Sequence, residues 1–416
     1  VMGPLAEEYG FYGADAFEGT GESLAVVDTE EAWIFHILPD PTGTSAIWAA
    51  QRVPNNHFAV LANMFVIREV DPDDTDTFLM SASVHQVAQE YGWWDSSSGQ
   101  LLDFTQIYSD GEYSHKFYSG RRMWGAYYLA CPSCAFPANY TDLLFDPVYP
   151  ISTKPDHLLS QLDLFRFHRY TYQGTPYALG AAGNLAGGPF GSPDRWKEGP
   201  AEASMEGNWE RPIGLYRTSD TYVVQSNKKL TAGAILWFGP ASSLGTVFTP
   251  FMVGMPDIPA SFRSGHQSVF SRDSAFWASC SVHNIANLKW SYAVKDIESK
   301  QNSLEQASVD LLKELEEEFQ ISGDFGVVNT ELLENSKHIV SSLWDLSDLI
   351  LFKYASGFVN EPDNISQMVG YPKWWLEKVG YQEGPPEPPT KPRCCDPSPG
   401  HDSEARSDKV VRAVTN

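Results

Sequence analysis

Four apolar runs joined by short polar turns crowd into residues 21–67, and they constrain the fold of this 416-residue chain more than any other feature. "SLAVVD" and "AWIFHIL" are dense in branched and aromatic residues, and "DTEE" between them suits a hairpin. "AIWAAQRVP" (46–54) and "HFAVLANMFVI" (57–67) continue the pattern, parted by Pro54-Asn55-Asn56. Connections this short predict an antiparallel four-stranded sheet. A second strand group is predicted over 211–240, from "PIGLYRTS", "TYVVQSN" and "GAILWFG".

Helical periodicity takes over elsewhere. "SASVHQVAQEYGW" (81–93) places Val84, Val87, Ala88 and Tyr91 on one face. "SLEQASVDLLKELEEEFQIS" (303–322) does the same with Leu304, Leu311, Leu312, Leu315 and Phe319, leaving an acidic face for solvent. "ENSKHIVSSLWDLSDLILFKYA" (334–355) is more apolar and is expected to pack between other elements. The fold class is therefore α+β.

The charge balance narrows the partners. A net charge of −24 argues against nucleic acid and against an anionic membrane surface. No apolar run approaches the length that a membrane-spanning helix needs. The opening "VMGPLAEEYGFYG" has no Met in first position and no signal-peptide pattern, so the expectation is a mature fragment, a processing product or a sequence begun part-way along a gene.

Cys131 and Cys134 form a C-P-S-C pair without a second pair to complete a zinc site, and are read as a local disulfide or two inert thiols. Sequons at Asn139 and Asn364, with the acidic balance, point to a secreted, extracellular or lysosomal setting. "DPDDTD" (71–76) lacks the glycine and final Glu of an EF-hand loop and reads as a solvated acidic loop. His36, His57, His115, His266 and His283 are scattered, with no pair at metal-ligand spacing. "LAGGPFGSPDRW" (185–196) combines glycine freedom and proline stiffness, which requires a defined backbone. Trp374-Trp375 are expected to pack the C-terminal segment. Residues 382–416 form a proline-rich, then polar tail that cannot build a core, holding the vicinal pair Cys394-Cys395. If ordered, it must be pinned to its own domain or to a neighbouring subunit. The expected division is residues 1–381 and the tail 382–416.

Taken in order, "GESLAVVDTEEAWIFHIL…AIWAAQRVPNNHFAVLAN", "YSGRRMWGAYYLACPS", "YPISTKPD", "YQGTPYAL", "AGGPFGSPDRW", "RPIGLYRTSDTYVVQSN…GAILWFG", "SRDSAFWASCSVHN" and "YPKWWLEKVGY" resemble the PepD-like cysteine dipeptidases. These are relatives of the secernins in the N-terminal-nucleophile hydrolase class, and the resemblance covers roughly residues 9–381. It implies an αββα sandwich of two antiparallel sheets with outer helices, and metal-free hydrolysis of dipeptides with no cofactor.

The implied nucleophile is a Cys at the start of the mature chain, with its own α-amine as base. None of the five cysteines here can take that part, so the nucleophile is expected on a companion N-terminal chain or an unrecorded segment. The same resemblance makes Asn63, in "VLANMFVI", the candidate oxyanion or substrate-orienting amide, although Met64 stands where the family usually has a polar residue. Arg217, expected inside an apolar strand, is the second orienting candidate. Arg121 and Arg122 are expected to anchor a helix start through ion pairs, one of them facing a substrate carboxylate. The alternative reading is a catalytically inactive, dipeptidase-like subunit of an extracellular homo-oligomer or filament.

Overall fold

Period-two burial builds the first sheet. Helix α1 (Met2–Tyr9) precedes strands β1 (Glu22–Val27), β2 (Ala32–Pro39) and β3 (Ala46–Val53), followed by short strands β4 (Phe58–Ala59), β5 (Glu69–Val70) and β6 (Phe78–Met80). Phe35, Ile37, Trp48 and Ala50 pack on one side with Ala6 and Phe11, while Ile34, Ile47 and Ala49 enter the main core on the other. Gly3 of α1 lies against the Trp48 indole so closely that an added Cβ would stand 2.2 Å from the ring. The sheet order is β1-β2-β3-β6, antiparallel throughout.

The computed structural model describes residues 1–11, 21–112, 115–140, 149–196, 207–227, 234–361 and 365–385. The chain divides into two compact units, Val1–Gly370 and Tyr371–Asn416. Asn364, Cys394, Cys395 and nearly all of the proline-rich tail lie outside the described residues.

Two expected strands fail because their backbone groups are bonded elsewhere. Within 57–67 only β4 is extended, and the fourth strand of the sheet is β6 instead. The backbone of this run is drawn elsewhere: Asn63 is left-handed at φ +52°, Val66 donates to a histidine, and the Ile67 and Arg68 carbonyls accept from Thr105 and Phe104. The "PIGLYRTS" run forms turns rather than a strand, with Gly214 donating to the Tyr170 carbonyl at 3.0 Å and Thr218 to Leu215 at 3.3 Å. Arg217 consequently sits exposed on a turn, not inside an apolar strand.

Helix α2 (Ser83–Glu90), strand β7 (Leu102–Asp103), helices α3 (Phe104–Tyr108) and α4 (Gly120–Ala130), strand β8 (Ser152–Thr153) and helix α5 (Gln161–His168) complete the first half. The second sheet follows, with order β11-β10-β9 from β9 (Asp220–Ser226), β10 (Ala234–Pro240) and β11 (Thr249–Met252). Its Ile235 and Trp237 are buried with Phe165, Phe248, Leu312, Leu315 and Leu332, while Tyr222 and Val224 remain exposed. Beyond a short helix α6 (Ala260–Arg263), α7 (Ala275–Ala286), α8 (Trp290–Ser322) and α9 (Phe325–Tyr354) pack through a shared apolar core. The sequence pattern caught the C-terminal part of α8 and most of α9. Gly323, left-handed at φ +66°, ends α8, and the Asp324 carboxylate caps α9 by accepting from the Gly326 N–H at 2.7 Å. No described helix is long and apolar enough to cross a membrane. In the second unit, helix α10 (Lys373–Lys378) sets the Trp374 and Trp375 rings edge to face at 5.7 Å.

The loop at 185–196 is a backbone-to-backbone fit. Gly191 has φ +64°, and a Cβ there would lie 2.5 Å from the Gly180 carbonyl oxygen, so only glycine closes the turn. The Asp194 side chain is 7% exposed and accepts from Asn287 Nδ2 at 2.8 Å, with His283 Nε2 at 3.1 Å. Arg195 donates to the carbonyls of Leu179, Ser192 and Asp194. These bonds fasten the loop to α7, which makes it scaffold.

His36 ties the two halves of the first core together. Its Nε2 accepts from the Val66 N–H at 2.9 Å, so Nδ1 carries the proton and faces Ser23 Oγ at 2.7 Å. The ring stacks on Phe65 at 4.6 Å. Burial pulls its pKa down to about 3. An unfolded histidine binds a proton below about 6.5 whereas folded His36 does not, so its contribution is full above that pH and is lost as pH falls toward 3. The expected slope from this group approaches about 1.4 kcal/mol per pH unit between pH 5.5 and 4, where the unfolded ring is protonated and the folded one is not. Urea unfolding of His36→Asn should be less acid-sensitive than wild type by that slope; equal slopes would remove His36 from the account.

Candidate active site

A cavity of about 870 Å³ beside the first sheet holds one of the candidate residues. The start of β1, the turn after β2, the irregular run 61–65 and residues 107–111 line it. Leu38, Ile47, Leu61, Met64 and Phe65 supply apolar wall, and Asn63 stands among them. Asp40 on the rim is occupied with its own turn, accepting from Thr42 Oγ1 at 2.8 Å and from the Ser45 N–H at 3.0 Å.

Asn63 is held from three directions. His36 fixes Val66 three residues on, the Asn63 carbonyl accepts from Ser119 Oγ at 3.2 Å, and the left-handed backbone swings the side chain outward. Its Oδ1 accepts from Arg122 Nη2 at 3.0 Å. An arginine can only donate, so this contact settles the amide orientation and leaves the Nδ2–H groups as the outward donors. Asparagine tolerates positive φ better than most residues, which is the local reason it can occupy this corner.

Arg122 is placed by the first turn of α4. Its Nε donates to the Tyr118 carbonyl at 2.7 Å, and its guanidinium lies 4.6 Å from the Tyr118 ring centre. Burial, together with the neighbouring Arg211 guanidinium, pulls its pKa down to about 10. The helix start is organised by Glu112, whose carboxylate accepts from the N–H groups of Phe117 (3.0 Å), Ser119 (2.6 Å) and Gly120 (3.0 Å) and from the Tyr140 hydroxyl (2.7 Å). A carboxylate at a helix N-terminus meets both free N–H donors and the positive end of the dipole.

The remaining expected residues fall away from the cavity wall. Arg121 is buried, ion-paired to Glu210, donating to the Ala138 carbonyl at 2.7 Å and stacked 3.6 Å from the Tyr177 ring centre. Adjacent helical residues diverge by about 100°, so Arg121 faces the core while Arg122 faces Asn63. Burial raises the Glu210 carboxyl more than Arg121 lowers it. Cys131 and Cys134 are bonded, with 5.4 Å between their Cα atoms, beyond the far end of α4. The Cys280 thiol is pushed up to about 11 by burial. Asn139 is exposed, its Oδ1 accepting from the Tyr177 hydroxyl at 3.1 Å. Among the described residues no group of three or more His, Cys, Asp or Glu side chains is arranged to hold a metal ion. Sequence reasoning missed Tyr118, Arg211, Glu112 and the anchoring role of His36; only the aromatic-then-arginine phrase "YSGRRMW" hinted at the first.

The profile of peptidase family C69 matches residues 1–303. A protein of Salmonella dublin named probable dipeptidase is 25% identical over 259 residues, which is 61% of this chain and 50% of that protein. Probable dipeptidase A of Streptococcus pyogenes serotype M1 is 23% identical over 380 residues, 85% of this chain and 69% of its own length. Dipeptidase A of Lactobacillus helveticus is 22% identical over 283 residues, 66% of this chain and 50% of its own. The chain thus spans half the length of the Salmonella and Lactobacillus proteins. With a family match running from α1 into the first half of α8, across both sheets and the Asn63 cavity, the chain belongs to peptidase family C69.

Proposed function

We propose that this chain is the scaffold and substrate-orienting part of a cysteine dipeptidase of the N-terminal-nucleophile type. The observation that carries the reading is Asn63: an amide at a cavity wall, its oxygen taken by Arg122 and its Nδ2–H donors without an acceptor among the described residues. That is the arrangement an oxyanion requires, because fixed donors need no reorganisation when charge develops on the carbonyl oxygen. The names of the relatives support dipeptides as substrates.

The nucleophile is a cysteine outside this sequence. Cys131 and Cys134 are joined to each other, and Cys280 sits in surroundings that disfavour its thiolate. A cysteine at a chain start brings its own α-amine, with a pKa near 8, as the base. The amine takes the thiol proton, the thiolate attacks the scissile carbonyl, and the resulting oxyanion accepts from Asn63 Nδ2. Collapse of the tetrahedral species expels the product amine, which takes the proton back from the α-ammonium. Water then hydrolyses the thioester by the same route.

The segment carrying that cysteine is proposed to complete an αββα sandwich. Leu24, Val26 and Val27 of edge strand β1 and Tyr222 and Val224 of the second sheet are exposed apolar surface that further chain would cover. The Cys131–Cys134 bridge favours an oxidising, secretory compartment.

The test is alkylation of native material with iodoacetamide, followed by intact mass and peptide mapping, with dipeptide hydrolysis followed in parallel. Loss of activity in step with modification of an N-terminal cysteine is the expected result. The non-reduced mass should also show Cys131 and Cys134 blocked and a glycan on Asn139. Full hydrolysis after complete modification of such a cysteine, or loss tracking Cys280 alone, would overturn the mechanism.

A further inference from the structure

Two guanidinium groups lie against one tyrosine next to Asn63. Arg122 and Arg211 lie 4.6 Å and 4.7 Å from the Tyr118 ring centre, and Arg211 Nη1 donates to the Tyr118 hydroxyl at 2.8 Å. Among the described residues neither arginine forms an ion pair with a carboxylate. The two acidic groups close by are already committed, Glu112 to three N–H groups and Tyr140, and Glu210 to Arg121. Like charges this close oppose each other: each guanidinium has its pKa lowered, by burial first and then, for Arg122, by Arg211 and, for Arg211, by Arg217. In a chain with a net charge of −24, a pair of guanidinium groups with no carboxylate partner among the described residues is suited to receiving an anion.

We propose that Arg122 and Arg211, set by Tyr118, bind the C-terminal carboxylate of the dipeptide. The inference rests on the dipeptidase reading above and adds what limits the substrate to two residues. Among the described residues Arg122 spends Nε on the Tyr118 carbonyl and Nη2 on Asn63 and Ala62, with no partner at Nη1, whose two donors can serve a ligand. Among the described residues Arg211 spends only Nη1, on Tyr118. In a dipeptide the carboxylate carbon stands three bonds from the scissile carbonyl carbon, roughly 3–4 Å away. A carbonyl oxygen on Asn63 Nδ2 therefore leaves the carboxylate within reach of the guanidinium that holds Asn63 Oδ1. A tripeptide would present a neutral amide there, forfeiting charge-assisted bonds at two arginines whose positive charge would stay uncompensated.

The experiment compares a dipeptide with its C-terminal amide on the full-length enzyme, in wild type, Arg211→Gln and Arg211→Lys. Wild type is expected to prefer the free acid by about 10–100-fold in kcat/KM, the range for hydrogen bonds to charged groups. Arg211→Gln should lose most of that preference through a higher KM for the acid while leaving the amide little changed. Arg211→Lys should recover part of it, having the charge without the fork. Equal turnover of acid and amide by wild type would overturn the proposal, as would an Arg211→Gln defect of the same size on both. A binding arm separates this from the peptidase reading: the side-chain Nε–H NMR signals of Arg122 and Arg211 are followed during titration with a dipeptide whose scissile amide is reduced. Shifts with the free acid and none with its amide support the carboxylate site even where no peptide is cleaved. No shift with either overturns the site even where dipeptides are hydrolysed.

Discussion

Replacing Asn63 with glycine is expected to lower kcat of the full-length enzyme by about 10²–10³-fold while KM moves little, the cost of losing one oxyanion donor. Glycine is the informative substitution because it accepts φ +52° freely, so the backbone corner survives and only the amide is lost. Alanine at the same position adds about 1–2 kcal/mol of left-handed strain, which would mix a folding defect into the rate. Asn63→Asp should be at least as damaging, because its oxygens repel a developing oxyanion and can pair with Arg122. The comparison needs kcat and KM for one dipeptide, with thermal unfolding recorded beside them. An Asn63→Gly enzyme with wild-type kcat would remove the amide from the mechanism. A rise in KM alone would reassign it to ground-state binding.

The largest stability effect belongs to Glu305, far from the cavity. Its side chain is 2% exposed on α8, accepts from Arg169 Nη1 at 2.9 Å and from Nη2, and also takes the Phe248 N–H at 2.9 Å. Arg169 continues the network to the carbonyls of Ser243 (3.0 Å) and Thr246 (3.1 Å). Glu305→Ala leaves a buried guanidinium without its counter-charge and a buried N–H without an acceptor. The expected loss is about 3–5 kcal/mol. Urea unfolding should show a lower midpoint with an unchanged slope against denaturant. Glu305→Gln, which keeps an acceptor for Phe248, should fall between the two. A loss of less than about 1 kcal/mol for alanine would mean that water or rearrangement satisfies Arg169, as at an exposed pair.

Much of the fold was legible because it is local. Alternation within "AWIFHIL" and "AIWAAQRV" sets which residues face α1 and which face the core, and the helical stripe of Leu304, Leu312, Leu315 and Phe319 marks α8. The mistakes have a common cause. "HFAVLANMFVI" has strand composition, yet its hydrogen bonds go to His36 and to residues 104–105 rather than to β3. "PIGLYRTS" likewise bonds within its own turns and to Tyr170. Propensity could not register either competition, since the competing partner lies far along the chain.

The site divides in the same way. Sequence and family likeness singled out Asn63 as a candidate, set Arg121 and Arg122 at a helix start, and set Cys131 and Cys134 within bonding reach. The tertiary structure alone decided which arginine turns toward Asn63, that Arg211 arrives beside it through Tyr118, and that His36 holds the segment on which Asn63 stands. These links join residues 30, 59 and 93 positions apart. Side-chain direction is a product of helix phase, turn geometry and packing across the core; residue type and spacing carry only the local part of that information.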